Sequence, residues 1–179
     1  MSERDWKVIH SSKSHKWRTP LEVFEPLNRR FRFKLDAAAS KENTKCADYI
    51  SEDQDGLNGL PWVEHIRNPE RYDAVWLNPP YGRDVGKWMQ RAYEQSQQCG
   101  LIVVCLVFAS TDTTWWRDWV WRAEHVKLLT GRIRFLDHEG VEQSAAPKGS
   151  AIVVFKPNYP FSKPNIELLS MQELEKAWY

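Results

Sequence analysis

The chain has 179 residues, 42% hydrophobic and 27% charged, which excludes a disordered chain and suffices to bury the core of one domain spanning 1–179. Its longest apolar run, Leu101–Ala109, is too short for a membrane span, and "MSERDWKVIH" has no signal-peptide core, so an intracellular protein with no membrane partner is expected. Net charge is only +1, but residues 1–34 hold nine Lys/Arg against four Asp/Glu, while residues 35–75 hold four against nine.

In chain order, residues 1–16 form a basic arm. A basic arm beside an acidic basin suits a polyanion and a cationic ligand respectively; an unevenly charged solvated surface is the alternative. "TPLEVFEPLNRRF" predicts a helix with Thr19 as N-cap, Pro20 at the first helical position and Glu22 closing a capping box, bent or shortened at Pro26. "FRFKLDAAAS" alternates Phe31, Phe33 and Leu35 with basic residues, a strand ending at Asp36, and "YDAVWLN" is a second strand. "VGKWMQRAYEQSQQC" places Val85, Trp88, Met89, Ala92 and Tyr93 at helical spacing. "GLIVVCLVFAS" is a continuous apolar strand of the parallel-sheet kind. "TDTTWWRDWVWRAE" reads as an amphipathic helix, and "HVKLLTGRIRFL" and "GSAIVVFKP" as two strands joined by the polar loop 137–149. The tail 160–179 ends in a short helix behind a Ser170–Glu173 capping box. Strands alternating with helices imply a three-layer α/β sandwich, its last two strands an antiparallel pair at one edge.

Asp36, Asn78 and Ser110 close strands, where open α/β sheets gather ligands. The turn Asn78-Pro79-Pro80-Tyr81 is the most specific signal. Two prolines fix the backbone and remove its donors, so carbonyls stay free to accept. Asn78 adds an amide oxygen and Tyr81 an aromatic face, a set that suits an exocyclic amino group on a planar ring; a proline-rich turn capping the next helix is the bland alternative. Arg132 and Arg134 alternate along one strand and could meet phosphates, or be solvated; Phe135 could wall a base pocket, or be core. Ten tryptophans are an excess suited to base stacking, although most must be core. Cys46, Cys99 and Cys105 and the five histidines show neither disulfide framework nor metal spacing, so no metal is expected.

Asn-Pro-Pro-Tyr after an apolar strand resembles the catalytic motif of S-adenosylmethionine-dependent amino methyltransferases. With "KWRTP", "FKLDAAAS", "DGL…PW", "VWLNPPYG", "FAST" and "GRIRF", the chain from about residue 15 to 157 resembles the short, phage-borne Dam-type DNA N6-adenine methyltransferases. That resemblance implies a Rossmann-like, mostly parallel seven-stranded sheet with a terminal antiparallel hairpin. It further implies S-adenosylmethionine as cofactor and the cytoplasm of a bacterial host as location. By position, Thr19 and Pro20 match the cofactor segment before the first strand, and Asp36, Ala37 and Ala38 the loop holding the methionine end. Asp55 falls where the cofactor adenine is contacted, and Glu52 or Asp48 where the ribose is held. "DAAASKEN" departs from the pattern by lacking the Gly-x-Gly of most methyltransferases.

The reaction implied is methyl transfer to N6 of a flipped-out DNA adenine, with Asn78, Pro79, Pro80 and Tyr81 catalytic and Asn78 also against the cofactor. DNA phosphates are expected on Lys13, Lys16, Arg18, Arg132 and Arg134, with Phe135 beside the base. RNA and protein-glutamine methyltransferases share the motif, and a nucleic-acid-binding module with a decayed site is a third reading. No separate recognition domain is visible, so sequence reading falls to loops, with 1–18 and 137–149 the best candidates.

Overall fold

The computed structural model describes residues 17–137, 139–160, 163–174 and 176. Its elements are α1 (Leu21–Phe31), β1 (Leu35–Asp36), β2 (Asp48–Tyr49), β3 (Ala74–Leu77), α2 (Val85–Cys99), β4 (Ile102–Phe108), α3 (Thr114–Asp118), β5 (His125–Thr130), β6 (Ser150–Phe155) and β7 (Asn165–Ser170). The strands form one sheet in the order β2-β1-β3-β4-β6-β5-β7, in which only β6 runs against its neighbours. This is a Rossmann-like, mostly parallel α/β arrangement.

Strand alternation divides the core between two faces. Leu35, Val75, Leu77, Val103, Cys105 and Val153 meet Trp88 and Met89 of α2 and Trp116 of α3. On the opposite face Ala74, Trp76, Val104, Leu106, Ile152 and Val154 meet Val23, Phe24 and Leu27 of α1. Helices on both faces give the expected three layers. Because β2 lies on one side of β1 and β3 on the other, the order reverses beyond Asp36 and Asn78, where α/β sheets place ligands.

Several local expectations are corrected. Helix α1 begins at Leu21 with Pro20, not Thr19, at its N-cap and no side-chain cap bond, so the Thr19–Glu22 capping box does not form. Pro26 sits inside α1, forfeiting its bond to the Glu22 carbonyl without ending the helix. Phe31 belongs to α1 rather than β1, because Arg32 closes the helix in the left-handed region (φ +55°) with its N–H on Asn28 O at 2.8 Å. Phe33 packs as a loop residue on Phe24 and Trp76, so its alternation with Leu35 is that of a two-residue strand only.

Helix α3 is one short turn followed by a 3-10 turn at Val120–Arg122. Strand β5 ends at Thr130, so Arg132 and Arg134 lie beyond it. The β5–β6 antiparallel pair is interior, because β7 adds in parallel to β5 and takes the edge; its half-exposed pattern gave no strand signal. The capping box at Ser170 and Glu173 forms and opens the 3-10 turn Met171–Glu173.

Candidate active site

A cleft of about 310 Å³ opens beyond β1 and β3, within the range of small-ligand sites. Thr19, Asp36, Ala37, Ala38, Glu52, Asp55 and Asn78 through Tyr81 line it, so residues expected from separate segments meet in one place. Pro20 does not line it; it is buried as the α1 N-cap.

Asp36 ends β1 only 4% exposed. Its Oδ2 accepts the Lys45 backbone N–H at 3.1 Å and its Oδ1 the Ala38 N–H at 3.5 Å. Burial pushes its carboxyl up to about 6, against the opposing pull of those N–H groups and the Lys45 charge. Lys45, which no sequence pattern signalled, lines the same cleft, and so does Arg18, expected on DNA phosphate. Burial holds the Lys45 ammonium below its ordinary range, Asp36 opposes this, and Arg18 adds to it.

The cleft floor depends on a close backbone approach. Gly56 lies so near Ala37 that an added Cβ would fall 2.4 Å from the Ala37 carbonyl oxygen. Fully buried Trp62 fixes that loop by donating Nε1–H to Gly56 O at 2.7 Å, while its own N–H reaches Gln95 Oε1 of α2 at 2.6 Å. Of the two acids proposed for the ribose, Glu52 lines the cleft; Asp48 does not, and accepts the Arg67 backbone N–H at 2.9 Å beside an ion pair with that guanidinium. The Asp55 carboxylate accepts from Leu57 N, Asn58 N and Asn58 Nδ2 at 3.0–3.1 Å, holding a turn at φ +49°.

At the other end of the cleft, Asn78 Nδ2–H donates to the Trp17 carbonyl at 3.1 Å. This fixes the amide so that Oδ1 is a buried acceptor with no partner among the described residues. Pro79 and Pro80 follow with no N–H to satisfy it.

Tyr81 departs from expectation. Its ring is only 7% exposed and stacks on Phe108 at 4.2 Å, with Trp17 tilted 57° against it at 5.9 Å and Phe135 edge-on at 5.8 Å. Burial raises its hydroxyl above the ordinary phenol range, and Oη has no partner among the described residues. The ring therefore presents no free face here. Phe108 and Trp17 belong to this cluster and were not singled out from the sequence.

The residues expected on phosphates are scattered. Lys13 and Lys16 lie outside the described residues. Arg18 bridges Leu136 through two backbone bonds of 2.9 and 3.0 Å, bringing the start of the fold against the segment that leads to loop 137–149. Arg132 donates to Ala146 O at 2.9 Å, and Arg134 pairs with Glu142 at 3.0 Å, so both brace that loop. Phe135 is 1% exposed, in the aromatic cluster. Among the described residues no group of three or more His, Cys, Asp or Glu could hold a metal, and no helix is long and apolar enough to cross a membrane.

A family model described as DNA N-6-adenine-methyltransferase (Dam) matches residues 8–177. A DNA N-6-adenine-methyltransferase of Haemophilus phage HP1 (strain HP1c1) is 30% identical over 173 residues, covering 93% of this chain and 94% of that relative. A protein of the same name from Escherichia phage T1 is 29% identical, covering 78% of this chain and 62% of its own length.

Proposed function

The chain belongs to the Dam family of DNA N-6-adenine-methyltransferases, and we propose that it transfers the methyl group of S-adenosylmethionine to N6 of a flipped-out adenine through the Asn78–Tyr81 turn. The observation that carries this is Asn78 Oδ1, a buried acceptor left without a partner and held in orientation by the bond from Nδ2 to Trp17 O. An orphaned buried acceptor costs stability unless a ligand donor completes it, and an adenine amino group carries two N–H donors.

The cleft has the charges that a methionine zwitterion requires. Asp36 would serve the positively charged groups of the cofactor, while Lys45 would serve its α-carboxylate. Thr19, Ala37 and Ala38 would wall the methionine end; Glu52 would hold the ribose hydroxyls, and Asp55 would border the adenine through the turn it stabilises. When bound, the cofactor supplies a methyl group on a positively charged sulfur, which leaves as a neutral thioether and needs no acid.

The N6 lone pair of adenine is delocalised and a poor nucleophile. Asn78 Oδ1 and the Pro79 carbonyl accept hydrogen bonds from the two N6–H groups and localise that pair. Positive charge grows on N6 during attack, so these fixed dipoles favour the transition state over the ground state. Asn78 is neutral, so the surplus proton leaves to water, and positioning carries most of the rate. N6 is paired inside a duplex, so the base must leave the stack, with Tyr81 and Phe135 as walls of its pocket. Lys13, Lys16 and Arg18 supply phosphate contacts, Arg132 and Arg134 shape loop 137–149 for sequence reading, and the enzyme acts in the cytoplasm of a bacterial host.

Purified protein with methyl-labelled cofactor and separate DNA, RNA and protein substrates tests the reading. Label on N6 of DNA adenine supports it; label on RNA or protein alone, or none with DNA still bound, refutes it.

A further inference from the structure

Tyr81 cannot accept a stacked base as it stands. Phe108 covers one face of its ring at 4.2 Å, and the Trp17 indole lies against it at 5.9 Å. The same indole stacks on Phe135 at 5.3 Å and 22°, and meets Phe108 edge-on at 6.1 Å. A flat bicyclic ring with one N–H thus covers Phe135 and leans on Tyr81, the two residues that are to wall an adenine and that themselves meet edge-on at 5.8 Å. Trp17 is also the residue whose carbonyl holds the Asn78 amide. It is half-exposed, unlike the buried Tyr81 and Phe135, and is followed at once by the backbone bridge of Arg18 to Leu136.

We propose that the Trp17 indole occupies the place of the target base and must swing out before adenine enters. The proposal rests on the base-site reading above. Occupation by Trp17 keeps the Phe135 face covered until a base arrives, because an indole has nearly the size and shape of the purine that replaces it. It also discriminates by cost: a base that cannot make the Asn78 contacts fails to repay the displaced ring contacts. The Arg18–Leu136 bridge ties this displacement to loop 137–149, so ordering of that loop on DNA and release of the indole act on one short segment.

The sign of one measurement decides. A ring that must be displaced lowers apparent affinity by the fraction of time the pocket is open. Trp17→Ala should therefore raise kcat/KM for unmethylated genomic DNA about 2- to 10-fold, the range set by one aromatic contact. The gain should appear chiefly as a lower KM, with Trp17→Phe intermediate. A wall of the pocket would behave oppositely, since losing a stacking surface raises KM. A higher KM in Trp17→Ala, or a lower melting temperature with KM unchanged and the melting temperature restored in Trp17→Phe, would overturn the proposal. Asn78→Ala serves as the control: if it stays active, the base-site reading itself fails, whereas an inactive Asn78→Ala with a raised KM in Trp17→Ala condemns the displacement alone.

Discussion

Asp36→Asn should make the cofactor-free protein more stable at neutral pH while destroying its cofactor site. The buried carboxyl titrates near 6 instead of 3.8, a shift of about two units, and each unit is worth about 1.4 kcal/mol. Holding Asp36 ionised therefore costs the fold about 3 kcal/mol. Because the folded value is raised, the protonated form contributes stability that is complete below about pH 4 and lost as pH rises through about 6. Asparagine removes the charge but keeps an oxygen for the Lys45 N–H at 3.1 Å; it sacrifices only the long contact with Ala38 N, for roughly 0.5–1.5 kcal/mol. The net gain is on the order of 1–2 kcal/mol at pH 8 and turns into a loss of roughly 0.5–1.5 kcal/mol near pH 4, where the carboxyl is protonated and only the lost contact remains. Urea unfolding of both proteins from pH 4 to 8 without cofactor measures it, with calorimetry for cofactor affinity. The variant should bind S-adenosylmethionine far more weakly, and wild-type affinity should fall about tenfold per pH unit below about 6 as Asp36 protonates. An Asn variant less stable than wild type by the same amount at every pH would refute the reasoning.

Asn78→Ala should lower the methyl-transfer rate by on the order of 10²–10³ with cofactor affinity nearly intact, as read by labelled-methyl turnover and calorimetry. Tyr81→Phe removes a buried hydroxyl without a described partner, so melting temperature should hold or rise and activity should largely persist, whereas Tyr81→Ala should lose capture of the base. Gly56→Ala would drive a Cβ to 2.4 Å from Ala37 O; cofactor titration should show affinity falling about tenfold or more as the loop is forced off the cleft. DNA affinity should decline with salt at a log–log slope of about −0.9 per phosphate contact despite the net charge of +1, and a flat dependence measured by filter binding would remove the basic arm from the interface.

The cofactor half of the site was legible because topology alone places it. Residues that end adjacent parallel strands must meet, so Asp36 and Asn78 could be put together from apolar runs and the turn after each. Gly56 and Lys45 escaped notice because what matters about them is approach: one loop returns to within contact of Ala37, and another turns its backbone onto Asp36. Nothing in their local patterns encodes that. The alternation that put Arg132 and Arg134 on a strand was real, but the strand ends at Thr130 and their partners, Ala146 and Glu142, lie across a loop no periodicity describes.

The base half depends on still longer closure. Asn78 acquires its orientation from a carbonyl 61 residues earlier in the chain, and Tyr81 loses its free face to rings at positions 17 and 108. Among ten tryptophans, composition could not distinguish the one on the site from those in the core. The distinction is energetic and needs the fold. Trp62, a core residue, donates its indole N–H to Gly56 O and is sealed, whereas Trp17 remains half-exposed and holds its place by ring contacts an arriving purine can match. A contact that an equal ligand can replace is cheap to break at the moment of use. That is the physical reason to look for the base where an aromatic side chain already lies.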